Sequence, residues 1–427
     1  MAIHIVVIGG GFGGISLVTK LGGINKFRIT LIDKNNYNFF PPLLYQVATG
    51  FLDPSNISYP FRKLFRNMPN AQLRMATLQK VIPEEKKIIL DNGELTYDIL
   101  VFACGVEINY FGMENVRRNA LPMKTLIDAI YMRNLLLQRL EQATIITDKI
   151  ERKKYSNIVI AGGGPTGVEI SGMFAEMSKY IIRKDYPELT NPSSTANIYL
   201  VGGGGDAILN TMSKASQEET YKALTEMGVT VILNDHVKDF TDDAVILSKG
   251  DPIYTKTLIW AAGVTAPIFE GIPKESYGYG KRMIVDEYNQ IINIPDIYAI
   301  GDVCWQINDT NYQKGYPQVA QVAIQQGKNL AKNLAAQTKN KPRHAFSYSD
   351  KGSMAIIGRN KAVVDIPKLK VHLKGFFAWL VWLFIHLVSL INYRNRITTL
   401  ANWIVSYFSR DQSLRMIIKA EKTDKAE

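Results

Sequence analysis

A chain of 427 residues, 46% apolar and 21% charged, is too long for one small core and too apolar for extensive disorder. Its formal charge of +11 suits anionic lipid or acidic ligands. No arginine-rich arm or nucleic-acid motif accompanies it, so no nucleic-acid partner is expected. Its two cysteines, Cys104 and Cys304, give neither a disulfide framework nor a C-x-x-C or metal-ligand spacing, so no metal is expected and both read as packing residues.

The N-terminus opens directly on a strand, without a signal- or transit-peptide pattern, and the chain reads as intracellular. The apolar run Ile5–Ile8 leads straight into Gly9-x-Gly11-x-x-Gly14. The first glycine allows the tight strand-to-helix turn, the second admits a pyrophosphate to the backbone, and the third lets helix pack on strand. The helix that follows offers free N–H groups and a positive dipole end to the phosphates. Arg28–Asp33 reads as a second strand, with Asp33 in the acidic position about 20 residues past the glycines that takes a ribose hydroxyl. Tyr97–Gly105 is a later buried strand ending in glycine.

From Met123 to Arg152 the pattern is helical. The run Ile158–Ala161 then opens a second fingerprint, Gly162-Gly163-Gly164-Pro165-Thr166-Gly167, with a helix predicted through Glu176. A strand Asn197–Val201, a helix near Ser216–Met227 and a strand Val229–Leu233 follow. Thr257–Gly263 matches Ile99–Gly105 in character, so the chain repeats itself at domain scale. One glycine fingerprint is weak evidence; two behind β-branched runs predict two dinucleotides in a redox arrangement.

After Gly263 the chain is expected to return to its first domain. Ile294–Asp302 reads as a strand ending in Gly301 and Asp302, and Pro317 opens a helix from Gln318 to about Ala336. The expected fold is α/β, with two Rossmann-like dinucleotide-binding domains. Residues 1–112 and 266–343 form the first, split by a nested domain of 113–265, and 344–427 form a C-terminal amphipathic helical segment for membrane association. Gly375–Ile391 is apolar nearly all round, between Lys374 and the pair Arg394 and Arg396. It is short against the roughly 20 residues a span requires. With Trp403, Tyr407, Arg410 and Arg415 beyond it, it reads as a helix lying in the membrane interface, touching anionic lipids. A hydrophobic hairpin packed on its own domain or on a second copy, giving a homodimer, is the alternative.

These residues resemble the two-dinucleotide flavoproteins, and within them the type II NADH dehydrogenases (NADH:quinone oxidoreductases). The likeness lies in both fingerprints, Asn38–Thr49 with its Pro-Leu-Leu-Tyr-Gln, Ala299–Asp302, Ala320–Gly327 and the tail from Gly375. It implies FAD in the split domain, held by Gly9, Gly10, Gly11, Phe12, Gly13 and Gly14, with Asp33 and Lys34 at the adenosine ribose. Thr49, Gly301 and Asp302 would lie beside the flavin. It implies NADH in the nested domain on Gly162 to Gly167, with Gly202 and Gly263 at its edge and Glu169 near the nicotinamide. Gln321 would stand between flavin and quinone headgroup, with Gln325 and Lys351 at the quinone entrance; Glu169 and Gln321 are the candidate catalytic residues.

The resemblance further implies non-pumping oxidation of NADH, two-electron reduction of a ubiquinone or menaquinone, and a peripheral, monotopic place on the cytoplasmic face of a bacterial inner membrane. One departure stands out. The strand before the second ribose ends at Gly202, where the family usually carries an acid, and no arginine replaces it, so NADPH is not excluded. Asp206, inside the glycine run, is the substitute candidate. The disulfide reductases of this fold carry a cysteine pair where Pro41–Gly50 has none. Sulfide:quinone oxidoreductase is the enzymatic alternative, and a non-catalytic flavoprotein that docks partners in response to NADH is the alternative from another class.

Overall fold

A computed structural model describes residues 2–189, 197–241, 243–307, 309–411 and 414–418. The chain divides into two compact units. One comprises Met1–Phe39, Ser58–Glu107 and Val264–Lys351; the other comprises Phe40–Ile57, Ile108–Gly263 and Gly352–Glu427.

The first unit is built on a five-stranded sheet in the order Ile297–Ala299, Ile99–Phe102, Ile3–Ile8, Phe27–Asp33, Ala71–Met75, every pair parallel. Period-two alternation sends Val6, Ile8, Leu100 and Phe102 to one face. There they meet Ile88 and Leu90 of an antiparallel sheet, Leu78–Ile82 with Lys87–Leu90 and Gly93–Thr96. Ile5, Val7, Ile29 and Leu31 point the other way, against the helices Phe12–Leu21 and Ala320–Gln337. Both faces are covered, which is why Ile5–Ile8 and Ile99–Phe102 read as unbroken apolar runs.

The second unit repeats the plan: Leu121–Pro122, Thr257–Trp260, Ile158–Ala161, Ile198–Val201, Val229–Ile232, again all parallel. In both units the strand before the glycine loop lies at the centre. The helical stretch expected over 123–152 consists of two helices, Leu126–Ile145 and Lys149–Ser156. Thr125 and Asp128 form a capping box at the first, and Asp148 caps the second through the Glu151 N–H. Ser213 caps Lys214–Glu226, so that helix starts two residues earlier than the apolar pattern suggested.

The C-terminal part of this unit opens with an element unforeseen from sequence, an antiparallel sheet of Ser353–Gly358, Lys361–Ile366 and Val371–Lys374. Its first strand lies against the helix Pro165–Met177 at Gly172, where a Cβ would stand 1.6 Å from the Ile357 carbonyl oxygen. Helix Gly375–Ser389 then packs on the middle strand through fully buried Ala378 and Trp382, and Tyr393–Ser409 follows. The opposite side of Gly375–Ser389 is bare: Phe377 is 72% exposed and Phe384 64%. Among the described residues no helix is long and apolar enough to cross a membrane.

Candidate functional site

Two glycine cradles are built alike, one in each unit. Gly9 has φ +102° and Gly162 φ +120°, a region that side chains avoid. A Cβ on Gly14 would lie 2.0 Å from the Gly9 carbonyl oxygen, and one on Gly167 would lie 1.9 Å from that of Gly162. Each loop therefore folds back on its own helix start so closely that only glycine fits. The N–H of Gly9 donates to Ile32 O, and that of Gly162 to Val201 O, both at 2.8 Å. A cradle whose volume a single methyl would fill, ending at a helix N-terminus, fits a pyrophosphate.

In the first unit Asp33 braces the loop. Its Oδ2 accepts the Gly10 N–H at 2.7 Å and its Oδ1 accepts the Asn35 N–H at 2.8 Å, while the Asn38 amide donates to Gly10 O at 2.6 Å. Burial pushes the Asp33 carboxyl up, and these N–H groups and Lys34 oppose that shift. A Cβ on Gly10 would meet the Phe61 ring at 2.2 Å, so the aromatic closes the loop from behind. Gly13 rests on Ile300 and on the carbonyl of Ala323. Phe12 and Asp302 are partly exposed, and Lys34 is fully so.

The helix beyond Pro317 begins at Ala320 with Val319 as its N-cap, two residues later than the sequence reading placed it. Pro317 and Gln318 remain in the loop, where the Gln318 amide donates to Asp302 O at 3.0 Å. Gln321, Gln325 and Lys351 do come together. Gln321 Oε1 accepts the Lys351 N–H at 3.1 Å, and Gln325 makes two bonds with the Ser349 backbone, at 2.9 and 3.0 Å. The two glutamines, one turn apart, thus hold segment 349–351 against the helix.

Sequence reasoning missed Gln326, which is fully buried. Its Oε1 accepts the Gly301 N–H at 2.7 Å, and its amide donates to Gln306 Oε1 at 3.1 Å. It fixes the Gly301–Asp302 turn, where Gly301 has φ +74°. The signal was present in Ala-Gln-Val-Ala-Ile-Gln-Gln-Gly, but the third glutamine faces the interior. Cys304 opens the short strand Cys304–Trp305 beside it, whereas Cys104 lies beyond the end of Ile99–Phe102; neither ends a strand. Burial pushes both thiols up to about 12.

In the second unit Pro165 is the first helical residue, so Glu169 sits one turn into the helix. Its side chain faces inward, 8% exposed, with Oε1 3.5 Å from the Ile356 N–H of the C-terminal sheet. Burial pushes its carboxyl up to about 8, against weaker pulls from that N–H and from the Trp382 indole, whose Nε1 has no aligned hydrogen-bond partner. His386 stacks on Trp382 with ring centroids 3.8 Å apart, and burial pushes its imidazole down to about 4. Tyr45 is wholly buried; burial first, then the field of Glu169, raise its phenol far above the ordinary value. Gln46 donates to Tyr45 Oη at 3.0 Å and accepts the Trp403 indole N–H at 2.8 Å. The Tyr-Gln of the Pro-Leu-Leu-Tyr-Gln stretch therefore receives the C-terminal helix, a task its sequence did not disclose.

Thr49 lies in this second unit, its hydroxyl donating to Tyr45 O at 2.8 Å. Gly202 donates to Ile232 O, and Gly204 to Asp235 O, so the glycine run is pinned by backbone; Asp206 is exposed. Gly263, φ +79°, packs under Phe111, whose ring a Cβ would meet at 2.4 Å.

Residues 3–327 match the family model of pyridine nucleotide-disulphide oxidoreductases, and residues 351–411 match that of the NDH2 C-terminal domain. Two proteins of Mycobacterium tuberculosis are similar along nearly the whole chain. Type II NADH:quinone oxidoreductase NdhA is 32% identical over 95% of this chain and 87% of its own length; Ndh is 31% identical over 95% and 88%. The solved structure of NDH2 from Plasmodium falciparum in complex with NADH superposes with a TM-score of 0.88 at 22% identity, covering 98% of this chain and all of that one. The sulfide:quinone oxidoreductase of Aquifex aeolicus shares the fold at a TM-score of 0.71 and 20% identity, covering 96% of each chain.

Proposed function

The chain belongs to the type II NADH:quinone oxidoreductases, and from that membership we propose how its residues divide the work. The enzyme oxidises NADH and reduces a quinone, with FAD as its cofactor. Bound FAD supplies a two-electron acceptor that is reduced by the nucleotide and reoxidised by the quinone. The remaining assignments concern the protein.

The backbone of Gly9 to Gly14 would hold the FAD pyrophosphate, with Asp33 and Lys34 at the ribose, and with Thr49, Gly301 and Asp302 toward the flavin. Gly162 to Gly167 would hold the NADH pyrophosphate, with Gly202 and Gly263 at its margins. No acid stands at Gly202, so the ribose contact falls to backbone groups and Asp206. Gln321 is assigned to the quinone headgroup; Gln325 and Lys351 position it, in keeping with the two glutamines that clamp segment 349–351.

The observation that carries the reading is the pair of like-built glycine cradles, one in each unit, with Glu169 buried one turn into the helix of the second. NADH oxidation coupled to quinol formation takes up one proton per turnover. Burial pushes the Glu169 carboxyl up to about 8, which suits it to hold that proton at its Oε atoms. The sulfide alternative requires reactive sulfur, and burial pushes the thiols of Cys104 and Cys304 up to about 12, away from the thiolate form.

The bare apolar side of Gly375–Ser389, continued by exposed Ile397, Ile404 and Phe408, is assigned to a membrane surface, with Arg394 and Arg410 toward anionic headgroups. A cytoplasmic face of a bacterial inner membrane is the proposed location. A homodimer through the same helices is the competing use of that surface, and the proposal includes no ion-pumping step. Steady-state oxidation of NADH against short-chain ubiquinone and menaquinone analogues tests the reading: turnover with at least one is expected, and quinone reduction by sulfide alone would overturn it.

A further inference from the structure

The second unit contains a cavity, with Ala48 and Thr49 among its lining residues, that none of the cradle glycines lines. It has about 610 Å³ of empty space, counting its open mouth. Ile158 and Ile198, the first residues of their strands, line it, so it lies at the N-terminal edge of the parallel sheet. Dinucleotides bind at the opposite, C-terminal edge, where the glycine loop begins.

One helix supplies most of the wall. Arg133, Leu136, Leu137 and Leu140 follow the i, i+3, i+4, i+7 spacing along Leu126–Ile145 and share a face. Phe174 stands among them, and a π-turn, Ser178–Ile182, puts two further residues on the wall. In this apolar lining Arg133 is an anomaly. It is 6% exposed, and its Nε has no hydrogen-bond partner. Among the described residues no carboxylate forms an ion pair with it; the field of Asp53 reaches it from farther away. Arg415, the second cation on the wall, is already matched, by Asp185 at 2.7 Å and Asp411 at 2.8 Å.

A buried guanidinium without a counter-ion destabilises a fold unless something else compensates it. Here the compensation has a definite chemistry. One uncompensated cation calls for a monoanion, its planar fork matches a carboxylate, and the leucine stripe beside it calls for a hydrocarbon chain. We propose that this cavity is a binding site for a single-chain carboxylate amphiphile of the fatty-acid class, its headgroup on Arg133 and its chain along Leu136, Leu137 and Leu140.

The test titrates delipidated holoenzyme with decanoate, decanol and decyl phosphate by calorimetry, following flavin absorbance and melting temperature in parallel. Decanoate is expected to saturate one site below its micellar range and to raise the melting temperature, with decanol at least about tenfold weaker. Arg133→Met should weaken decanoate about tenfold or more while keeping its flavin and melting no lower than the wild type without ligand. Leu140→Trp, which fills the cavity and leaves the cation in place, should also abolish binding. Equal affinity for decanoate and decanol, unchanged binding in Arg133→Met, or tighter binding of decyl phosphate than decanoate would each overturn the proposal.

Discussion

The Trp403 indole N–H donates to Gln46 Oε1 at 2.8 Å, between a residue of the C-terminal helix and one 357 positions earlier, and both groups are buried. The bond shows why the tail and the Pro-Leu-Leu-Tyr-Gln stretch belong together. Trp403→Phe keeps an aromatic ring but leaves Gln46 Oε1 without its donor. A loss of about 1–3 kcal/mol is expected, read as a lower denaturant midpoint with flavin content retained. An unchanged midpoint would show that the tail is held by apolar packing alone.

Glu169 should make stability depend on pH. Its folded-state value of about 8 lies above the ordinary 4.5, so the folded protein keeps a proton that the unfolded chain has lost. The stabilisation is complete below about 4.5 and disappears as pH rises through about 8. Relative to the wild type, Glu169→Gln should therefore gain stability between pH 5 and 8, by up to a few kcal/mol, and turnover should fall about 10²-fold if the carboxyl holds the proton taken up. Parallel stability profiles of the two proteins over that range would remove the elevated value, and unchanged turnover would remove the catalytic assignment.

The two cradles should fail separately. Gly14→Ala drives a Cβ to 2.0 Å from Gly9 O and should yield protein that has lost most of its FAD. Gly167→Ala makes the matching clash with Gly162 O at 1.9 Å and should leave FAD bound while weakening NADH by about 10²-fold or more. Flavin released on denaturation, and nucleotide titration of the flavin-loaded variant, separate the outcomes. Loss of flavin from Gly167→Ala would reverse the assignment of the cradles.

Gln326→Leu preserves volume but strips the Gly301 N–H of its acceptor and Gln306 of its donor. A destabilisation of about 1–3 kcal/mol is expected, with faster FAD dissociation, since the Gly301–Asp302 turn loses its brace. Flavin dissociation at the wild-type rate would confine Gln326 to core packing.

The parts legible from sequence are those where one residue type is compulsory. Gly9, Gly14, Gly162 and Gly167 are irreplaceable at their positions, so spacing alone discloses both cradles, and the apolar strands behind them disclose two parallel sheets. Other features depend on which side of a helix faces inward. Gln326 and Gln325 are adjacent in sequence, yet one is in the core and the other clamps a loop. The burial of Glu169 was not legible because it comes from the sheet Ser353–Lys374, which lies far along the chain and has no distinctive pattern. The helical pattern over 123–152 did not show where one helix ends and the next begins, and the caps at Thr125 and Asp148 mark the two segments.

The central claim is tested most directly by anaerobic titration of the purified flavoprotein with NADH, followed by a soluble quinone. The account predicts bleaching of the flavin absorbance at one equivalent of NADH and its full return on addition of one equivalent of quinone. Failure of NADH to bleach it, or bleaching that no quinone reverses, would contradict the account.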